Sequence, residues 1–277
     1  MPRNILKSSE STKSSRISVS LAEKIGVASL LSAFLLFFVE PFLAAIPLIF
    51  FLLLCFVAPF FPRFGFYLPL VSRGIPGMTG ISLTFDDGPS PISTPFLLDL
   101  LARHKLKATF FVVGEKAARY PELVANILKQ GHTIGNHSWN HDYFLMLRSQ
   151  KIMQDDIHNT QEILKKSGVQ PLIFRPPVGI TSPLLREVLN REGLIAVTYS
   201  CRAFDRGNRS IDNLCQKTLK ALKPGDIIML HDLPAYHEAQ SDHWQNELAN
   251  LLETLAKKYD IVPLEQLIQR PVNIALE

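Results

Sequence analysis

Two histidines four residues apart, His137 and His141, and two adjacent carboxylates, Asp86 and Asp87, are residue types that bind divalent metals and move protons. Taken alone, Asp86-Asp87-Gly88-Pro89 reads as a turn, where Asp, Gly and Pro each have local reasons to occur. The histidine pair alone is no more than suggestive. Together they supply a two-histidine, one-carboxylate set. Such a set suits zinc, or an octahedral divalent ion with positions left open for water and substrate. Adjacent side chains at a strand end point in different directions, so the two aspartates are expected to divide the work. One ligates the metal while the other takes a proton from water that the metal acidifies. His231 is the candidate for protonating a departing amine. Arg175 could orient a carboxylate by bidentate pairing, with an ordinary salt bridge as the alternative. The constellation points to metal-assisted hydrolysis of an acyl group from an amine.

Side chains so far apart in the chain need a frame that converges them. From Ile81 onward, short β-rich runs alternate with amphipathic helical patterns. Strands are expected at 81–85, 108–113, 133–135, 172–174, 195–200, 226–230 and 261–263, with helical patterns between most of them. That alternation implies a mainly parallel sheet covered by helices, and about seven strands predict an α/β barrel rather than an open sheet. In a parallel barrel, functional residues gather where strands end. Five expected strand ends run into Asp86-Asp87, His137 to His141, Arg175, Asp205 and His231-Asp232. They present Asp, His and Arg to one rim.

The first quarter of the chain has a different character. Residues 1–24 form a polar tail carrying Arg3, Lys7, Lys13, Arg16 and Lys24, and they supply much of the net charge of +4. From 25 to 61, Glu40 is the only charged residue. Proline disfavours helix in the residue before it, so Glu40-Pro41 marks a break between two short apolar helices, about 25–39 and 42–61. The first is shorter than the ~17 residues a span needs unless Leu21 and Ala22 extend it. A single signal anchor with an interfacial segment is the competing arrangement. A cleaved signal peptide fits poorly, because the apolar region is long and no small-residue cleavage site follows. The expected organisation is therefore a tail (1–24), a membrane segment (25–62), a linker (63–78) and a catalytic domain (79–277). The site is a bacterial-type inner (plasma) membrane, in contact with membrane lipid. Basic flanks on both sides put the catalytic domain in the cytoplasm for two spans, and outside for one. Scattered basic residues without an aromatic-and-basic stripe argue against nucleic acid. Three cysteines form no disulfide framework.

These segments resemble the NodB-like polysaccharide deacetylases, carbohydrate esterase family four, over about residues 75–268. Thr84-Phe85-Asp86-Asp87-Gly88-Pro89 is similar to the first family motif, which implies Asp86 as general base and Asp87 as metal ligand. His137-Ser138-Trp139-Asn140-His141 resembles the second, which supplies both metal histidines. Arg175-Pro176-Pro177-Val178-Gly179 resembles the third. It implies that Arg175 holds the catalytic aspartate and that the backbone N–H of Val178, where the family usually has an aromatic, serves the oxyanion hole. Leu230-His231 resembles the fifth, implying His231 as general acid. The fourth motif normally reads Asp, two residues, Asp, Trp. Here Arg202-Ala203-Phe204-Asp205-Arg206 keeps Asp205, the partner that tunes His231, and puts arginines in place of the first aspartate and the tryptophan.

The resemblance implies a distorted (β/α)7 barrel of the NodB-homology type, here preceded by an N-terminal hydrophobic membrane hairpin. It also implies one divalent ion, zinc first, with cobalt, nickel or manganese as alternatives, and an N-acylated amino-sugar glycan as partner. Pro177, Val178, Arg202, Arg206 and Leu230 are the expected substrate contacts. An arginine pair suits phosphate or carboxylate better than a sugar face. A lipid-linked saccharide therefore stands beside a cell-envelope polysaccharide as the expected substrate. A deformylase or other amide hydrolase acting on a lipid-phosphate-linked sugar is an alternative. A catalytically silent, membrane-tethered glycan-binding protein is another, and an acid–base pair beside a metal set argues against it.

Overall fold

The structure, a computed structural model, describes residues 19–61, 63–203 and 205–276. Arg3, Lys7, Lys13 and Arg16 of the basic tail, and Phe204, lie outside the described residues. Helix α1 (Leu21–Phe37) opens on a capping box, in which Ser20 accepts from the Glu23 N–H and the Glu23 carboxylate accepts from that of Ser20. Leu21 and Ala22 thus extend the first apolar helix to 17 residues. The chain is extended at Glu40, and Pro41 starts a 3-10 turn that runs into α2 (Ala45–Val57). Pro41–Phe60 is long and apolar enough to cross a membrane, and nearly all of it is uncovered by protein.

The catalytic region is an eight-stranded parallel sheet in the order β1-β7-β6-β4-β3-β2-β9-β8. In chain order its strands and helices are β1 (Leu70–Val71), β2 (Ser82–Gly88), α3 (Ser93–Arg103), β3 (Ala108–Val112), α4 (Gly114–Arg119), α5 (Pro121–Lys129) and β4 (Thr133–Asn136). They continue with α6 (Gln150–Lys166), β5 (Val169–Pro171), β6 (Ile173–Phe174), α7 (Leu185–Glu192), β7 (Ile195–Val197) and β8 (Cys201–Arg202). The chain ends with α8 (Leu214–Ala221), β9 (Ile227–His231), α9 (Ser241–Lys258), α10 (Leu264–Ile268) and β10 (Asn273–Ala275), the last paired antiparallel with β5.

Strand alternation sorts side chains between two layers. Leu83 and Phe85 of β2 pack with Phe110, Val112, Leu97 and Leu101 under the helices. On the concave face, Phe111, Ile173, Val197, Ile227 and Met229 form a second cluster. The expected single strand at 195–200 is divided. β7 pairs with β6 and β1 at one edge, while β8 pairs with β9 at the other. Residues 198–200 cross between the edges, with Thr198 N–H donating to Val71 O (2.9 Å) and Ser200 N–H to Ile227 O (3.1 Å). This crossing curls the sheet into a half-barrel, the distorted barrel expected. The expected strand at 261–263 is reduced to one bridge, Ile81 to Ile261.

Residues 63–78, expected as a linker, contribute β1 and also dock the apolar hairpin. Phe66 is fully buried against Ala22 and Ala58, and its carbonyl accepts from Ala22 N–H at 2.9 Å. Tyr67 Oη donates to Cys55 O at 2.7 Å.

Candidate active site

The two aspartates reach one cavity because β2 bulges between them. Asp86 pairs with Phe111 and Gly88 with Val112, leaving Asp87 as an extra residue at φ 72°. A bulge re-aims a side chain that strict alternation would send to the opposite face. Asp86, Thr84 and Ser82 follow the concave side of the strand, and Asp87 is turned back beside them.

The histidines converge through turns and not along a helix. His137 follows β4 directly, with its N–H donating to Val112 O at 3.0 Å. Ser138 (φ 69°) and His141 (φ 56°) adopt left-handed backbone. Ser138 Oγ accepts from His141 N–H at 3.1 Å, and Asp156 accepts from Trp139 N–H at 2.8 Å. Burial raises the Asp156 carboxyl to about 6, against the lowering effect of that hydrogen bond.

Asp87 Oδ1 lies 3.2 Å from His137 Nε2 and 3.0 Å from His141 Nε2. One ligand atom from each residue lies within 4.8 Å of the other two. His137 Nδ1 faces the carbonyl of Arg175 at 2.7 Å, an acceptor only, which assigns the proton to Nδ1. Its Nε2 lone pair then points at a carboxylate oxygen. That approach is favourable only with a cation or proton between them, so the donor set fits a divalent metal. Burial alone would raise the Asp87 carboxyl, but His137 and His141 hold it well below the usual carboxylate range.

Arg175 is buried beneath this set. Its Nη1 donates to Asp86 Oδ1 (2.6 Å) and Thr84 Oγ1 (2.8 Å), while Nη2 and Nε donate to the carbonyls of Thr198 (2.8 Å) and Val197 (3.2 Å). The expected bidentate pairing is therefore a single-nitrogen contact, because the rest of the fork ties the sheet together. Its guanidinium carbon stands 3.9 Å from the Phe111 ring centroid.

His231, at the end of β9, pairs through Nδ1 with Asp205 Oδ2 at 2.8 Å. Burial by itself would push this imidazole down, but the carboxylates of Asp205, first, and of Asp87 and Asp86 together outweigh it, and the pKa rises to about 9.

A cavity of about 240 Å³ joins these groups and is lined by Asp86, Asp87, His137, His141, Arg175, Val178, Arg202, Arg206 and His231. Two expected substrate contacts lie elsewhere. Leu230 alternates to the opposite face of β9 and is buried in the helix-covered core, while its neighbours Met229 and His231 face the cavity. Pro177 is buried, and Pro176 and Val178 line the cavity instead. Val178 has φ 51°, rare for a β-branched residue.

Among the residues that sequence reading missed, four carry polar side chains. Tyr143, Tyr199 and Arg209 line the cavity, and Lys116 Nζ donates to Asp87 O at 2.6 Å. Arg209 lies three residues after Arg206, and that clustering of basic residues was a signal, though not one that places the side chain in the cavity. The tyrosines and Lys116 had none, since they are placed by loops and by the adjacency of β2 to β3.

A model of the polysaccharide deacetylase family matches residues 75–197, which stops short of Asp205 and His231. Over 194 residues the chain is 36% identical to a peptidoglycan-N-acetylglucosamine deacetylase of Bacillus cereus, covering 68% of this chain and 88% of that protein. It is 31% identical over 203 residues to a chitooligosaccharide deacetylase of Bradyrhizobium sp., covering 70% and 92%. The crystal structure of the Bc1960 peptidoglycan N-acetylglucosamine deacetylase superposes with a TM-score of 0.65 at 30% identity, covering 73% of this chain and 94% of that one.

Proposed function

This chain belongs to the polysaccharide deacetylase family and is a hydrolase of carbon–nitrogen bonds other than peptide bonds; on that premise we propose that it removes the N-acetyl group from an amino sugar of a cell-envelope polysaccharide. The observation that carries this reading is the meeting, in one cavity, of an arginine-held carboxylate, a metal-type triad and a carboxylate-paired imidazole. The names of the relatives, peptidoglycan and chitooligosaccharide deacetylases, support the substrate class.

Asp87, His137 and His141 would hold the divalent ion, zinc or a similar cation, which when bound supplies Lewis-acid polarisation of the acyl carbonyl and acidifies water. Asp86, fixed by Arg175, takes a proton from the attacking water. The oxygen of that water bonds to the acyl carbon. The backbone N–H of Val178 donates to the developing oxyanion, a role that needs no particular side chain. Asp205 accepts from Nδ1–H of His231, so the imidazolium keeps a second proton on Nε2. That proton passes to the sugar nitrogen as the carbon–nitrogen bond breaks, leaving acetate and a free amine.

The apolar hairpin extends the reading to location. Phe42, Phe50, Leu52 and Phe56 are mostly uncovered, and a bilayer is the environment that suits them. We place residues 25–62 in the plasma membrane, with the domain from 79 onward at its surface.

The test is amine and acetate release from N-acetylglucosamine oligomers, with metal analysis of the same preparation. Wild-type protein should bind about one equivalent of divalent metal and release amine, and Asp86→Asn should keep the metal and lose the activity. Equal activity in the variant, or wild type without bound metal, overturns the mechanism.

A further inference from the structure

We propose that the cavity takes an N-acyl amino sugar bearing a phosphate, which Arg202, Arg206 and Arg209 recognise. This rests on the deacetylase reading and narrows its substrate. All three guanidinium groups line the same cavity as the metal-type triad. Neither Arg206 nor Arg209 is placed by chance fraying of a loop. Asp205 and Asn208 are buried anchors: Asp205 pairs with His231, its carbonyl accepts from Ser210 N–H at 2.9 Å, and Asn208 donates to the carbonyls of His231 and Leu233. Between and beside the anchors, Arg206, Gly207 and Asn208 hold φ of 54°, 68° and 61°. Three successive left-handed residues make a tight turn, and two of them are not glycine, so the anchors sustain an unfavourable backbone. The exposed side chains carried by that turn are Arg206 and Arg209. The head of Arg209 is further fixed over the Tyr236 ring, 4.8 Å from its centroid.

The acidic neighbours are already engaged. Asp205 belongs to His231, and Asp212 pairs with His243 at 3.0 Å. Among the described residues, no carboxylate pairs with Arg206 or Arg209. Placing the unpaired Arg206 and Arg209 beside Arg202, at the mouth of a cavity whose triad would hold a cation, costs repulsion that a neutral sugar does nothing to offset. Planar guanidinium forks match phosphate oxygens, and three exceed what one carboxylate needs.

The end of the apolar hairpin and the residue after it touch residues beside the cavity wall. Thr181 N–H, two residues past cavity-lining Gly179, donates to Pro59 O at 3.3 Å, and Arg63 donates to Ser200 O, next to cavity-lining Tyr199. A phosphate that joins the sugar to a lipid would be presented at that wall. A free sugar phosphate offers the same chemistry.

The experiment compares three ligands on the zinc-loaded full chain: N-acetylglucosamine 1-phosphate, the same compound esterified to a long alkyl chain in phosphatidylcholine vesicles, and neutral N-acetylglucosamine tetramer. Calorimetric affinity for the soluble pair and amine release for all three are measured. A preference of about tenfold or more for phosphate over the neutral oligomer is expected in binding, shrinking as salt rises. In Arg206→Gln/Arg209→Gln that ratio should collapse to within about twofold, while Arg206→Lys/Arg209→Lys keeps part of it. Melting temperatures of both variants guard against misfolding. Faster turnover of the alkyl ester than of the soluble phosphate identifies a lipid-linked source, and equal turnover a soluble one; both support phosphate recognition. Equal affinity for phosphorylated and neutral sugars, or a preference that survives the glutamine variant, overturns the proposal. Phosphate preference in binding without amine release from any ligand counts against the deacetylase reading and leaves this one standing.

Discussion

At the scale of single residues, the site separates two neighbouring carboxylates by their partners. Asp86 faces the Arg175 guanidinium and Asp87 faces two imidazoles, so removing one charge should spare the other's role. Asp86→Asn is expected to lower kcat by about 10²–10⁴-fold with metal content unchanged. The pH profile tests the other half of the acid–base pair. In the proposed mechanism His231 is the general acid and must carry its proton, which it holds up to about 9, so activity should persist through neutral pH and fall above about 9. In Asp205→Asn the largest raising charge is gone, leaving the smaller effects of Asp87 and Asp86, while burial, which lowers the pKa, remains. The alkaline limb should then move to lower pH by more than one unit, along with a fall in kcat; an unmoved limb assigns it to another group. On the proposed mechanism, only the backbone donor is needed at Val178. Val178→Gly also suits the φ of 51°, so deacetylation should stay within about threefold of wild type, and a loss of more than about tenfold shows that the side chain matters.

At the scale of elements, the bulge in β2 and the turn after it govern the aspartates. A Cβ at Gly88 would collide with the Asp232 carboxylate. Asp232 cannot swing aside freely, because Ser93 and Thr94 donate to it at 2.7 and 2.6 Å and its N–H donates to Asp86 O at 2.7 Å. Gly88→Ala is therefore expected to destabilise the protein by about 1–3 kcal/mol, read by denaturant unfolding, and to impair catalysis through displacement of Asp86 and Asp87. Wild-type stability in this variant would show that the turn relaxes. The bulge was not legible in the sequence. Asp-Asp-Gly-Pro signals a turn, but only the pairing of β2 with β3 shows which residue is left unpaired. The division of 195–200 escaped for a similar reason: its β-rich composition is the same on both sides of Thr198, while its partners lie at opposite edges of the sheet.

At the scale of the whole molecule, two histidines shape stability with opposite signs. Burial lowers His132 to about 4, with Lys107 adding to the effect. Between about 4 and the ordinary 6.5 the unfolded chain binds a proton that the folded one does not, so this contribution grows as pH rises and is complete above 6.5. His231, raised to about 9, contributes fully below 6.5 and loses its contribution as pH climbs to 9. Unfolding free energies across pH 4 to 9 should therefore fall off on both sides of neutrality, and His132→Gln should flatten the part of the acid-side slope between 4 and 6.5. The hairpin makes a separate prediction. With two apolar helices in the bilayer, the full chain should stay with membranes through alkaline carbonate extraction; release into the soluble fraction removes the membrane placement.

The sequence by itself determined the class of fold and the chemistry at the strand ends. Alternating β-rich and amphipathic runs report burial periodicity residue by residue, and Asp, His and Arg at the ends of such runs have few structural reasons to be there. It also determined the break at Pro41, because proline acts on its own backbone and that of its neighbour. Tertiary structure alone decided that Asp87 is the bulged residue, that Leu230 points away from the cavity, that Arg209 joins Arg202 and Arg206 in the cavity, and that the end of the hairpin meets a residue beside the cavity wall. Each of these depends on which strand or loop lies beside another. Contacts between distant segments are set by packing of the whole sheet, which local patterning does not encode.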